Sequence, residues 1–519
     1  MFVCAQTMSA FENVMEIIDK EYIYELDKPL LLNDVIQSML NLVDPYSGYF
    51  NEEETTFRDQ YIWKGESYAG LGISINKYNG KNVIWEVNPD YDGAAKGLSP
   101  GDIIYAVNDI PSENIALDSL VQLLRGEEDS FVDLKIGRNN QIISFRVKRM
   151  VISDDPIATA FVLDNNIGYI KLKHFLLGSS QKMELAMQKI GGNYLKGLIL
   201  DLRGNYGGVV EEALSVANQF IPKGKFLLTF DYRDKNRNKY FISERDALYP
   251  NIPIVILIDS KTISSGELLT GIFQDLDRGF VIGDTTYGKG IVQGTRYCPD
   301  GASLYLTIAQ YLTPSGRSIQ KKDFTTEKYL LSGANKDLGD TLFYSECNRP
   351  LSAHSGIIPD IFVDEAPKIA DWISMDMRTN PLVFELLNNF TSTYHFNRLV
   401  DLQLNDIMFE AFFDKYYKNA HSIRCESDSK LADLKESFRK LSFSGDSFEE
   451  DEVDSILVKL KQDVLLSQKE LIKNELFLLA VNRIFGNKSA VEANFLSEYD
   501  EEKYNVYFDR EYELLNCKE

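Results

Sequence analysis

The chain has 519 residues, 44% of them hydrophobic, too many for one ordinary core and enough to fill three or four structural units. Its formal net charge of −23 argues against nucleic acid or an anionic membrane surface as a partner. No apolar run reaches the roughly 18 residues of a transmembrane helix.

At the N-terminal end, M-F-V-C-A-Q-T-M-S-A-F has neither a basic n-region nor a full apolar h-region, so it is at most the remnant of a signal peptide. A lipidated Cys4 would need most of a signal upstream of it. Cys4, Cys298, Cys347, Cys425 and Cys517 are scattered, form no disulfide scaffold or C-x-x-C zinc pattern, and leave the redox compartment open. Phe11, Val14, Met15 and Ile18, then Ile36, Met39, Leu40 and Val43, recur at helical spacing and predict a helical region over residues 1–63. This region closes on D-P-Y-S-G-Y-F, where Asp44-Pro45 initiates a turn.

Residues 64–150 change to short strands around one short helix, D-S-L-V-Q-L-L-R-G, and end in the alternating segments F-V-D-L-K-I-G-R and Q-I-I-S-F-R-V-K-R. Two glycine-rich segments punctuate them: Gly70-Leu71-Gly72-Ile73 and L-S-P-G-D-I-I with Gly101-Asp102. The order and separation of these pieces resemble a PDZ domain. The resemblance makes Gly70, Leu71, Gly72 and Ile73 a loop whose backbone N–H groups receive a chain terminus, beside a strand that an extended peptide can join.

From Ile167 the pattern alternates strand and helix, with Met183, Ala186, Met187 and Ile190 on one helical face and Val210, Leu214, Ala217 and Ile221 on another. D-L-R-G-N-Y-G-G joins the buried strand G-L-I-L-D-L to the second helix. Residues 226–247 read as a hairpin with the polar tip R-D-K-N-R-N-K. Pro253 to Ile258 reads as a buried strand, and from Gly266 the residues Leu268, Leu269, Ile272 and Phe273 take helical spacing, which puts Ser264 and Ser265 at a strand-to-helix junction. Serine there serves as an N-cap or as a nucleophile, because unpaired N–H groups and the helix dipole stabilise an oxyanion. After the strand Phe280 to Ile282, Lys289 lies in a loop between Gly288 and Gly290, with Gln293 four residues on. Tyr287, Ile291 and Val292 can desolvate its amine, and only a neutral amine takes a proton from serine. Gly283 to Lys289 also spells a phosphate-loop pattern, but Gly290 stands where Ser or Thr must hold magnesium, and I-V-Q-G-T-R-Y looks like a strand.

S-S-G-E-L-L followed by Y-G-K-G-I-V-Q resembles the Ser-Lys site of carboxy-terminal processing, or tail-specific, proteases. The resemblance implies Ser264 as nucleophile, Lys289 as general base and Gln293 as the residue that orients the lysine. The family's usual S-A-S-E is Ser264-Ser265-Gly266-Glu267 here, which sets two serines side by side; spacing to Lys289 and Glu267 favours Ser264. D-L-R-G-N-Y-G-G resembles the family's D-L-R-x-N-x-G-G, so Gly207 and Gly208, with Gly208 preferred, and the Ser265 N–H form an oxyanion hole. Asp44, Pro45, Ser47 and Tyr49 fit a D-P-x-S-x-Y segment common before the family's PDZ domain. The implied protein is an α+β multidomain serine endopeptidase, with a protease core of the ClpP/crotonase-like type over residues 151–365, and it needs no metal or organic cofactor. Its expected substrates are proteins or peptides with free apolar C-termini, and its expected place is the cell envelope, in the periplasm. The alternatives are a catalytically inactive binder of peptide termini on a degenerate protease fold, and a Ser-His arrangement using His174, which reads better as a core histidine.

Lys321 to about Ser355 is an insertion relative to the compact family pattern. Residues 366–519 read as charged helices, with stripes at Leu431, Leu434, Phe438 and Leu441 and at Ile456, Leu460 and Val464, around an acidic linker S-G-D-S-F-E-E-D-E-V-D-S. Such helices either cover the core or build a homo-oligomer.

Overall fold

The computed structural model describes residues 2–57, 68–321, 342–363, 369–393, 406–430 and 450–516, with Leu402, apart from positions 79, 89, 114, 116, 139–140, 153–154, 424, 426 and 429. The chain begins with α1 (Phe2–Glu21) and α2 (Lys28–Asn41), then β1 (Gly48–Phe50) and α3 (Glu52–Phe57). Three glutamates open α3, where the helix dipole favours negative charge.

A β-rich unit follows: β2 (Tyr68–Gly70), β3 (Ile73–Tyr78), β4 (Lys81–Val87), α4 (Asp92–Ala95), β5 (Ile103–Val107), β6 (Ile110–Pro111), α5 (Leu117–Leu124), β7 (Phe131–Arg138), β8 (Gln141–Lys148) and β9 (Met150–Ile152). Its main sheet runs β3-β4-β5-β7-β8, so β3 is an edge strand, and β2 pairs with β9 where the unit opens and closes. The alternation in β7 sends Val132, Leu134 and Ile136 into the core, with Ile84, Ile104 and Leu120.

A large sheet in the next unit has the order β10-β11-β12-β15-β16-β21. It takes β10 (Ile157–Val162), β11 (Ile167–Leu172), then α6 (Ser179–Lys189), β12 (Gly197–Asp201) and α7 (Val210–Ala217). The hairpin β13 (Phe226–Tyr232) and β14 (Lys239–Ile242) precedes β15 (Ile254–Ile258), α8 (Ser265–Asp275) and β16 (Phe280–Gly283). Then come β17 (Ile291–Tyr297), β18 (Ser303–Leu312), β19 (Phe343–Tyr344), β20 (Pro350–Leu351) and β21 (Ile361–Phe362). Only β10 runs antiparallel to its neighbour; the pairs from β11 to β21 are parallel. Both faces are covered, as the unbroken apolar runs of β12 and β15 require. Leu198, Leu200, Ile254 and Ile256 face the core of α6, α7 and α8, while Ile199, Val255 and Leu257 face the other way. In a second sheet β18 pairs with β1, β13 and β17. The N-terminal region therefore contributes a strand to this sheet.

The helical end comprises α9 (Asp371–Thr379), α10 (Pro381–Thr393), α11 (Asp406–Lys418), α12 (Glu450–Ser467), α13 (Lys469–Phe485), α14 (Asn487–Glu498) and α15 (Glu501–Asn516). Phe495, Tyr507 and Phe508 of α14 and α15 are buried against Tyr169, Val255 and Phe280, so these helices cover the outer face of the large sheet. The stripe at Leu431 to Leu441 lies outside the described residues, as does 322–341 of the insertion. Two expectations are corrected. Glu450 to Ser455, read as linker, are the first turns of α12. Ile456 and Leu460 are 58% and 56% exposed, while Lys461 and Leu465 are buried. The packing face is rotated by one position because the Lys461 ammonium finds the Asp428 carboxylate and the Ile423 carbonyl inside, which satisfies a charge that the apolar pattern excludes. Trp85 of β4 stacks on Phe384 of α10, with ring centroids 4.1 Å apart, and donates its indole N–H to the Arg378 carbonyl, docking the β-rich unit on the helices.

Candidate active site

Three loops leave the C-terminal ends of the adjacent parallel strands β12, β15 and β16, the edge where open α/β sheets build sites. The loop after β15 ends at Ser264, the N-cap position of α8, with φ 56° and ψ −116°, a backbone region that only glycine occupies at ease. The loop after β12 is tied to it, since the Ile263 N–H donates to the Asn205 carbonyl at 2.7 Å. Gly207 and Gly208 follow. A Cβ on Gly207 would lie 2.8 Å from the Ser264 Cβ, and one on Gly208 (φ +133°) would lie 2.1 Å from the Phe175 carbonyl oxygen. Both positions thus need glycine for close approach.

The two serines have different partners. Ser265 is buried and donates its hydroxyl to the Gly208 carbonyl at 2.8 Å; Ser264 is half-buried. The Gly207 N–H donates to Asn205 Oδ1 at 2.9 Å. Among the described residues the N–H groups of Gly208 and Ser265 have no protein acceptor, whereas that of Gly207 has one.

Glu267 joins this serine turn to the loop after β16. Its buried carboxylate accepts four hydrogen bonds, from the Thr286 hydroxyl and Gly288 N–H at 2.6 Å and from the backbone N–H groups of Ser264 and Lys289 at 2.9 and 2.8 Å. Burial pushes its pKa up while these donors pull it down, with a net rise. The Tyr311 hydroxyl adds a second tie, 2.9 Å from the Ser264 carbonyl and 2.5 Å from the Lys289 carbonyl. Lys289 itself is half-buried, and among the described residues no carboxylate forms an ion pair with it. Desolvation lowers its pKa, against the opposing charges of Glu267 and Asp44. Its amine lies 4.9 Å from the ring centroid of Tyr46.

Gln293 sits on β17 and donates to the Thr307 hydroxyl at 3.3 Å rather than to a loop atom. Thr307 in turn donates its N–H to Ser47. His174 is buried with its ring 5.1 Å from that of Tyr206, a core position beside Phe175, which bridges to Gly208. The phosphate-loop alternative fails, since Lys289 leads into β17. Glu267, Tyr311 and Tyr46 were not named as site residues from sequence. Glu267 at the third position of α8 was the one available signal, because an N-terminal glutamate reaches back to the N-cap N–H.

Residues 166–328 match the model for Peptidase family S41, and residues 62–137 match the model for the PDZ domain. The chain therefore contains a peptidase family S41 domain and a PDZ domain. Carboxy-terminal processing proteases CtpA and CtpB of Bacillus subtilis (strain 168) are 32% and 30% identical to it over 59% and 61% of this chain. Those alignments span 65% and 66% of the relatives' own length. Among solved structures, a photosystem II D1 C-terminal processing protease is 22% identical over 68% of this chain and 86% of that one, with a TM-score of 0.37. The loops described above all fall inside the S41 match, and Tyr46 falls outside both matches.

In the PDZ domain, the expected carboxylate loop runs from β2 into the free edge of β3. Gly70 pairs with Met150, and Gly72 (φ +71°) lies so close to Tyr91 that a Cβ there would be 2.2 Å from the Tyr91 Cβ. Leu71 is 2% exposed and part of the core, so its side chain does not line a peptide pocket; Ile73 and Ile75 are half-buried.

Proposed function

We propose that this chain is a serine endopeptidase that cleaves by a Ser-Lys dyad and recognises the C-terminal tail of its substrates through the PDZ domain. The carrying observation is the Glu267 clamp, which holds the backbones of Ser264 and Lys289 on one carboxylate. With the Ser265 hydroxyl engaged by Gly208, Ser264 is the serine left to react. Its oxygen attacks the scissile carbonyl carbon while the neutral Lys289 amine takes its proton, and the N–H groups of Gly208 and Ser265 hold the oxyanion. The C–N bond then breaks, and the Lys289 ammonium returns the proton to the leaving amine. Water, deprotonated by the same amine, attacks the acyl-serine and frees the second product. Gln293 acts from β17, through the Thr307 side of the site, to keep the lysine aligned. An extended tail adds to the β3 edge with its carboxylate at Gly70 to Ile73, and Ile73 and Ile75 favour apolar residues.

A place in the cell envelope is supported by Cys347, which is disulfide-bonded, because such bonds persist outside the reducing cytosol. The test is mass spectrometry of matched peptides with free or amidated C-termini, incubated with the wild type and with Ser264→Ala. Cleavage of the free-ended peptide by the wild type alone is expected. Equal cleavage of both peptides removes tail recognition, and binding without cleavage favours an inactive binder of peptide termini.

A further inference from the structure

The turn at 44–50 looks like plain chain reversal in the sequence, but the fold brings it onto the active site. The buried Asp44 carboxylate accepts from the N–H groups of Tyr46 and Ser47 at 2.7 Å and from the Ser47 hydroxyl at 2.8 Å, which fixes the turn. β1 then pairs Gly48, Tyr49 and Phe50 with Tyr305, Leu304 and Ser303 of β18. The N–H of Thr307, two residues further along β18, donates to the Ser47 hydroxyl at 3.2 Å. So anchored, the turn carries the intervening Tyr46 ring beside the Lys289 amine, with its centroid 4.9 Å away and the tyrosine hydroxyl bonded to Tyr287 of the lysine's own loop.

We propose that Tyr46 is a positioning residue for the general base: its ring walls off the Lys289 amine from water and holds it on the serine side of the site. The proposal rests on the Ser-Lys reading above. A ring face attracts a cation, but less strongly than the water it displaces, so the wall favours the neutral amine that the reaction needs. The other groups around this amine are Glu267 from α8, Asp44 from the same turn, Tyr287 from the lysine loop and Tyr311 from β18. The two carboxylates favour the ammonium, which leaves water exclusion to lower the amine's affinity for a proton. The N-terminal segment is on this account a structural part of the catalytic centre, although it lies outside the S41 match.

The experiment uses the full chain with Tyr46→Phe and Tyr46→Ala. Labelling of the Lys289 amine by an acylating reagent is followed across pH by peptide mass spectrometry, alongside kcat/KM. Tyr46→Phe should keep the wild-type labelling midpoint. Tyr46→Ala should move it to higher pH and lose roughly tenfold in kcat/KM at neutral pH, recovered toward alkaline pH, a fraction of the hundredfold or more that general-base catalysis contributes. If Tyr46→Ala does not fold, Tyr46→Gln, which brings a polar amide to the amine, should raise the midpoint in the same way. An unchanged midpoint in the variant that lacks the ring overturns the proposal, and so does an equal rise in Tyr46→Phe. Labelling does not require turnover, so a Ser264→Ala variant as active as wild type would refute the dyad separately.

Discussion

Ser265 donates its hydroxyl hydrogen to the carbonyl oxygen of Gly208, 57 residues away in sequence, and this bond engages one of two adjacent serines and distinguishes it from Ser264, the proposed nucleophile. Ser265→Ala keeps its backbone N–H and should cost about 1 kcal/mol of stability, with most activity retained. Ser264→Ala should lose at least about a thousandfold in kcat at unchanged fold. Peptide turnover and thermal melting of the two variants check this; an inactive Ser265→Ala beside an active Ser264→Ala would exchange their roles.

Gly208→Ala should turn over far more slowly than the wild type. The added methyl would lie 2.1 Å from the Phe175 carbonyl oxygen, so the strand bridge to Phe175 must open and carry the Gly208 N–H away from the oxyanion position. Loss of one oxyanion donor costs about a hundredfold or more in kcat. The informative comparison is with KM, which should change little.

Activity should rise with pH along a limb that lies below the ordinary range of lysine, because Lys289 must be neutral and desolvation lowers its pKa. Stability follows with a definite sign. Between the lowered folded pKa and the ordinary unfolded one, the unfolded chain binds more protons, so this residue makes stability increase as pH rises through that window and decrease as pH falls through the folded pKa. Lys289→Met should flatten that increase in the melting temperature. An acid optimum, or full activity in Lys289→Arg, would contradict the mechanism.

Glu267→Gln is nearly isosteric, yet its amide puts an NH2 group where two of four donors now find an acceptor. The expected loss is about 3 kcal/mol of stability, with slower turnover because the serine and lysine loops are no longer held on one group. Urea denaturation and kcat measure the two effects, and a variant with wild-type values for both would show that the clamp is dispensable.

What could be read in advance depended on range. The strand-to-helix junction at Ser264 and the loop that carries Lys289 were legible because each follows a short apolar strand run, a local pattern. The PDZ unit was legible from alternation, and Val132, Leu134 and Ile136 point inward as the period of two demands. Tyr46 was not legible, since nothing near Asp44-Pro45 indicates that β1 will pair with a strand some 250 residues on, a matter of tertiary pairing alone. Leu71 reads from the sequence only as part of the loop that receives a chain terminus, and packing alone draws its apolar side chain into the core. The stripe at Ile456 and Leu460 misled because a buried, paired Lys461 cannot be told from a solvated one by residue type.

The backbone of Ser264 has a cost that a catalyst accepts and a purely structural protein would shed. Holding a residue with a Cβ at φ 56°, ψ −116° takes on the order of 1–3 kcal/mol, and the Glu267 and Tyr311 bonds around it make the conformation persist. Ser264→Gly should therefore melt at a higher temperature than the wild type while losing all turnover, even after about 0.4–1 kcal/mol of added unfolded-state entropy. A library of this protein selected for heat resistance alone would be expected to accumulate glycine at the nucleophile, and so would recover robust chains that no longer cut.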